Sequence, residues 1–194
     1  YEPYANADVS IPIGFEQTAS RPSTCARFLA AAAQQAGERI LEIGCGSGYL
    51  LALLAARQQS LNQAERGLFG RSVQSAVVGI EKRAALASAA RRALDESGLQ
   101  HVLVRCSDGL SGLNEEGQFD VIILSAAVHQ IPEALLYRLT LGGRLIVPLV
   151  CSRHDTSRQK LVLVNRVSRV SQPSSSRSDI EYEDLGPCEF VLAT

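Results

Sequence analysis

The chain has 194 residues, 46% of them hydrophobic, and nineteen basic against twenty acidic side chains leave a net charge of −1. A near-neutral chain of this length buries a core without staples and lacks the basic excess that a nucleic-acid or anionic-membrane surface needs. No apolar run approaches the roughly 20 residues that span a bilayer, and five scattered cysteines without a C-x-x-C pair argue against a structural metal.

The chain opens on Tyr1 rather than on an initiator methionine, so residues are expected to precede it. The first twenty residues, with Pro3, Pro12 and Gly14, read as irregular. Pro22 suits the first turn of a helix whose alanine-rich body, CARFLAAAAQQA, is expected to run to Gly37. RILEIG (39–44) reads as a buried strand and YLLALLAA (49–56) as a helix with Leu50, Leu53 and Leu54 on one face. The polar stretch 57–74 lacks a clear period and is expected to be an inserted loop with at most a helical turn. SAVVGIE (75–81) is the next strand, and 83–97 a helix with Leu86, Ala90, Ala93 and Leu94 in period, stopped at Gly98. Strands follow at 101–109 and 119–127, then a short helix at 131–139 and strands at 142–150 and 159–167. A Ser-rich tract, 171–179, reads as a flexible connection to a last weak strand, CEFVLA (188–193).

Strand and helix alternate over two thirds of the chain, and strands follow strands at its end. That pattern predicts an α/β, doubly wound, mostly parallel sheet with a C-terminal antiparallel hairpin. The whole chain, 1–194, is expected to be one domain, with 39–150 as the ligand-binding core between an N-terminal segment, 1–38, and the terminal strands, 151–194.

The chemistry begins at LEIGCGSGYL (41–50), where Gly44, Gly46 and Gly48 follow a strand and open a helix. A dinucleotide fingerprint would require glycine at the position of Tyr49, and no Gly-Lys-Ser/Thr follows to form a P-loop. Glu42 stands two residues before the loop, where a carboxylate repels a pyrophosphate but suits a ligand that carries an ammonium group. Glu81 ends the second strand, in position to accept hydrogen bonds from both hydroxyls of a ribose. Asp108 ends the third strand, in position to accept from an adenine amino group. Each has an ordinary alternative: a turn, a helix-start acid, an Asp-Gly turn pair. All three at successive strand ends favour the ligand. The pattern E-x-G-x-G-x-G resembles motif I of the S-adenosylmethionine-dependent methyltransferases, which implies their Rossmann-like fold, that cofactor and its product, S-adenosyl-L-homocysteine. On that resemblance the cofactor set is Glu42, Gly44, Cys45, Gly46, Gly48, Glu81, Lys82, Asp108, Gly109 and Ser125.

The stretch DVSIPIGFEQTASRP (8–22) is more specific. It resembles the substrate loop of the protein-L-isoaspartate O-methyltransferases, D-x-x-x-P-I-G-x-G-Q-T-I-S-x-P, at Asp8, Pro12, Ile13, Gly14, Gln17, Thr18, Ser20 and Pro22. The resemblance continues in order through LEIGCGSGY, GIE, SDG, FDVIILSAA, GGRLIVP and QKL. It implies methyl transfer to the free carboxylate of L-isoaspartyl residues in damaged polypeptides, followed by spontaneous closure to a succinimide. A carboxylate of reference pKa near 4 is already ionised, so no general base is needed, and His129 is expected to be a bystander. Ser20 and Thr18 are the expected catalytic hydroxyls; Ile13, Gly14, Gln17, Ala126, Ala127 and Val191 are the expected acceptor contacts.

The chain departs from the family pattern at Glu16, which replaces a glycine, at Ala19, at Ser23 and Thr24, and near Leu192, where a proline is missing. Those changes motivate two alternatives: a methyltransferase for another carboxylate or small molecule, or a non-catalytic relative that binds the cofactor. A cytoplasmic monomer that binds flexible polypeptide, and neither nucleic acid nor membrane, is expected.

Overall fold

A computed structural model describes residues 7–69, 76–111, 117–152, 154–167 and 180–193. Near its start lies a small hairpin, β1 (Ile11–Gly14) and β2 (Gln17–Ala19), where the sequence reads as irregular. Its two-residue turn is Phe15-Glu16, both left-handed at φ 55° and 58°. Such a turn matches the strand twist but ordinarily recruits Asn or Gly. Phe15 lays its ring under the Arg83 guanidinium, 5.4 Å from the ring centre, which ties the hairpin to the sheet below. Glu16→Gly is expected to stabilise the protein by about 0.5–1 kcal/mol, because a Cβ is disfavoured at this φ. Thermal melting checks it, and a lower melting point would mean that the turn is not held left-handed.

Helix α1 (Pro22–Ala32) follows, with Asp8 Oδ1 accepting from the Ser23 N–H at 2.8 Å. That hydrogen bond holds the Asp8 carboxyl below its ordinary pKa. The helix ends five residues before the expected Gly37. Ala33 turns left-handed at φ 41°, and the Arg144 guanidinium donates to the carbonyls of Ala32 and Ala33 while pairing with Glu38 at 2.8 Å. A distant arginine therefore sets the boundary that the alanine run conceals.

The main sheet has seven strands in the order β5-β4-β3-β6-β7-β8-β9. They are β3 (Arg39–Ile43), β4 (Ala76–Glu81), β5 (Leu103–Cys106), β6 (Phe119–Leu124), β7 (Leu139–Val150), β8 (Gln159–Arg166) and β9 (Ile180–Cys188). The first five pair in parallel; β8 is antiparallel to β7 and β9 to β8. Helices α2 (Tyr49–Phe69), α3 (Ala84–Glu96) and α4 (Glu133–Tyr137) connect the parallel strands. Ile40, Val121, Ile123 and Ile146 face one side of the sheet with Phe28, Leu51 and Leu54; Leu41, Ile122, Leu145 and Val147 face the other with Leu135. Burial on both faces explains why these strands read as continuous apolar runs.

Two further expectations are corrected. The polar stretch after residue 56 continues α2 to Phe69, and 70–75 lie outside the described residues. Its period is hidden because Gln58 and Asn62 occupy the inward face. Gln58 Nε2 donates to the Gln35 carbonyl and its Oε1 accepts from Gln34, while Asn62 Oδ1 accepts from the Gly37 N–H. The last strand is β9, not 188–193. β9 is an edge strand whose exposed stretch 181–184 carries three acids and which contains Pro187, so it lacks an apolar pattern. Residues 190–193 instead form a tail beside Ala127, described below. Smaller differences are a β7 that begins at Leu139 and a β5 and β6 that end sooner than the sequence predicts. The Ser-rich tract lies outside the described residues.

Candidate active site

The strand order reverses between β3, which leads outward to β4 and β5, and β6, which leads to β7. In an open α/β sheet ligands bind beyond the carboxyl ends at this point. A cleft of about 350 Å³ lies there. Gly44, Gly46, Glu81, Lys82, Asp108, Gly109 and Ser125 of the expected cofactor set line it, and so do Ile13, Gln17, Thr18, Ala126 and Val191 of the expected acceptor set. A second cavity of about 30 Å³, roughly the volume of one water, is lined by Ser20, Glu42, Cys45, Cys25 and Tyr49. Thr18, Gly44, Gly46 and Ser125 line both, so the small cavity is an annex of the cleft.

Three expected residues line neither. Gly48 packs the start of α2 against α3: at φ 80° any Cβ would meet Ala90 Cβ at 3.2 Å. Gly14 closes the exposed end of the hairpin. Ala127 is buried, and its backbone holds the tail: its N–H donates to the Val191 carbonyl and its carbonyl accepts from the Ala193 N–H, both at 2.8 Å. The tail is secured a second time by buried Gln159, which donates to the Phe190 carbonyl and accepts from the Phe190 N–H. Val191, Leu192 and Ala193 thereby form part of the cleft wall. His129 is exposed and lines neither cavity.

The glycine loop is fixed from two sides. Gly44 and Cys45 donate their N–H groups to the Ile80 carbonyl, and Gly46 donates its N–H to Glu81 Oε2 at 3.0 Å. The other oxygen of Glu81 accepts from the Arg83 N–H at 2.9 Å, so one carboxylate joins the loop to the start of α3. At Gly46 a Cβ would stand 3.0 Å from Ile13 Cδ1, which shows how closely the hairpin covers the loop. Asp108 accepts from the Leu110 N–H and faces Lys82 Nζ at 3.3 Å; these contacts hold its carboxyl below the ordinary pKa, the backbone bond acting most. Asp108 is thus a fixed anion at the cleft mouth.

Glu42 behaves oppositely. It is 2% exposed; its Oε1 accepts from the Ser125 hydroxyl at 2.8 Å, and its Oε2 has no hydrogen-bond partner among the described residues. Burial pushes its carboxyl up to about 8, the Ser125 bond opposes the shift, and the Glu81 charge adds to it. The same burial raises the Cys25 thiol to about 12 and raises Cys45 further, so both thiols are unreactive near neutrality. The cleft therefore combines a buried orphan oxygen, two carboxylates at strand ends and a glycine loop without phosphate-binding residues. That set fits an adenosine joined to a cationic amino acid and does not fit a pyrophosphate.

Sequence reasoning missed Arg83, Leu86, Ser107, Leu110, Leu192 and Ala193 in the cleft wall. Arg83 and Ser107 stand beside strand ends already singled out. Leu192 and Ala193 carry no sequence signal beyond the tail's assignment as a strand.

A family model for Protein-L-isoaspartate(D-aspartate) O-methyltransferase (PCMT) matches residues 1–182. A protein-L-isoaspartate O-methyltransferase of Syntrophus aciditrophicus is 38% identical over 184 residues, covering 95% of this chain and 72% of the relative. Its counterpart in Methylorubrum populi is 41% identical over 187 residues, covering 96% and 74%. A solved protein-L-isoaspartate O-methyltransferase superposes with a TM-score of 0.75 at 26% identity, covering all of this chain and 55% of that one. A Plasmodium falciparum structure assigned to the same activity, in complex with S-adenosyl-L-homocysteine, shares the fold at a TM-score of 0.74 and 22% identity, covering 96% and 80%. The chain belongs to the protein-L-isoaspartate(D-aspartate) O-methyltransferase family.

Proposed function

We propose that this chain methylates the free carboxylate of L-isoaspartyl residues in damaged polypeptides, with S-adenosylmethionine as donor, and so starts their repair through a succinimide. The observation that carries the reading is Thr18. It lines both the cleft and the annex that contains Ser20, so the hairpin brings two hydroxyls to the junction between the glycine loop and the outside. The cofactor, when bound, supplies an electrophilic methyl on a sulfonium. Glu81 and Asp108 hold its adenosine, and Glu42 with Ser125 faces its amino acid end.

The remaining work is done by neutral groups. The acceptor carboxylate arrives ionised, so the site has to strip water from it and hold one oxygen in line with the methyl. Hydroxyl and backbone N–H donors do this without quenching the nucleophile, whereas a lysine would pair with it. Ser20 and Thr18 supply the hydroxyls. The hairpin strands and the tail, with Ile13, Gln17 and Val191 in the cleft wall, bracket an extended acceptor segment together with Ala126. We place the protein in the cytoplasm, acting as a monomer on flexible polypeptide.

The test is transfer of labelled methyl to matched peptides, one isoaspartyl and one aspartyl. Base-labile label on the isoaspartyl peptide alone is expected. Equal labelling of both would shift the reading to a general carboxylate acceptor, and labelling of neither to a binding protein. Ser20→Ala is expected to lower kcat by roughly 100- to 1,000-fold, the range for loss of one positioned donor, while leaving cofactor affinity within about twofold. Parallel loss of both would reduce Ser20 to a support for α1, where Cys25 Sγ already donates to its carbonyl.

A further inference from the structure

The site contains two buried carboxylates with different partners. Glu81, 7% exposed, has a backbone N–H on each oxygen. Glu42, 2% exposed, has a hydroxyl on one oxygen and, among the described residues, nothing on the other. Among the described residues, the groups that share the annex with it are Thr18 and Ser20 of the hairpin segment, Cys25 of α1, Cys45 and Ser47 of the glycine loop, Tyr49 of α2 and Ser125 beyond β6. Glu81 of β4 acts on it as a nearby charge. The Arg91 guanidinium of α3 acts on Cys45. Two of the neighbours are thiols held neutral by burial, one is a second carboxylate and the rest are hydroxyls, of which Ser125 donates to Glu42. None compensates a negative charge, and an uncompensated buried carboxylate takes up a proton.

An annex that opens onto the cofactor cleft gives that proton a competitor. A cofactor ammonium brings a positive charge and three donors to an oxygen that has none. We infer that Glu42 is a proton-exchange site: it is a neutral carboxylic acid in the cofactor-free protein and releases its proton to solvent as the cofactor's ammonium takes the proton's place. The inference rests on the cofactor reading above. The balance is simple: the carboxyl O–H bond breaks, its electron pair stays on the oxygen, the proton passes to buffer, and the carboxylate accepts an N–H from the ammonium.

Cofactor and product affinity then depend on pH in a defined direction. Where Glu42 is protonated, the ligand has to displace a proton, so affinity rises about tenfold per pH unit. The rise ends near pH 8, where burial places the Glu42 titration and where the ligand's own ammonium, of reference near 8, begins to lose its proton. The ordinary carboxyl, near 4.3, would give a flat profile over the same range.

Isothermal titration calorimetry of the full chain with S-adenosylhomocysteine at pH 6.5, in buffers of different ionisation enthalpy, tests this. The ligand amine keeps its own proton there, well below the α-amino reference near 8, so any exchanged proton comes from the protein. About one proton released per site is expected at that pH. Titration with 5′-methylthioadenosine, which lacks the amino acid end, is expected to release none. Glu42→Gln is expected to bind S-adenosylhomocysteine more weakly, without proton release and without pH dependence. If that variant does not fold, the two ligands on the unaltered protein decide. Binding of S-adenosylhomocysteine with no proton released, or equal release with both ligands, overturns the inference and leaves the cofactor reading intact. If neither ligand binds the folded protein, the cofactor reading fails and the inference with it.

Discussion

Glu81→Ala is expected to weaken S-adenosylhomocysteine binding by about 10- to 150-fold, equivalent to one or more charge-assisted hydrogen bonds of ~1.5–3 kcal/mol. It should also lower stability by a further ~1–3 kcal/mol, because two partly buried backbone donors lose their acceptor. Those donors are the N–H groups of Gly46, in the glycine loop, and Arg83, at the start of α3. Each carboxylate oxygen keeps a second lone pair for a ribose hydroxyl, so one side chain shapes the loop and faces the ligand. Glu81→Gln separates the roles. The amide keeps one acceptor oxygen, so it restores part of the stability while its NH₂ opposes one of the two backbone N–H groups. Calorimetric titration and thermal melting of the two variants check this. Unchanged affinity in Glu81→Ala would remove the residue from the ligand and leave it a loop anchor.

The positions of Glu81 and Asp108 were legible because a parallel strand presents its carboxyl end to the ligand whatever packs around it. Two acids at successive strand ends need only the strand boundaries to be roughly right. The hairpin residues were legible through the match of a contiguous stretch, although its backbone was not. Phe15 and Glu16 sit left-handed without being Gly or Asn, and the Phe15–Arg83 contact that fixes them spans residues far apart in sequence. The same difficulty explains α2. Gln34, Gln58 and Asn62 hydrogen-bond in a chain between α2 and the turn after α1, so a buried face reads as polar. The split between Glu42 and Glu81 was likewise invisible. Both appear as acids beside glycines, and only the donors on each oxygen separate them: Glu81 has a backbone N–H on both, whereas Glu42 has a hydroxyl on one and, among the described residues, nothing on the other.

Phe28→Ala is expected to cost about 3–5 kcal/mol of stability, the range for a fully buried phenylalanine, and to raise KM for an isoaspartyl peptide while kcat changes little. The ring is 0% exposed on α1 and meets Phe190 edge-on, with centroids 5.4 Å apart and planes at 74°. Phe190 begins the tail whose next three residues line the cleft. Loss of the ring removes the packing partner that holds the tail from beneath, while Gln159 and Ala127 still hold its backbone. The tail should loosen rather than detach, which weakens a surface that brackets the acceptor but leaves Thr18, Ser20 and the glycine loop in place. Against a total stability of about 5–15 kcal/mol the variant is marginal, so kinetics belong at low temperature, with Phe28→Leu as a milder companion expected to lose under about 1.5 kcal/mol. A stability loss with unchanged KM in both variants would show that the Gln159 and Ala127 bonds alone fix the tail, and that the aromatic pair serves the core and not the acceptor surface.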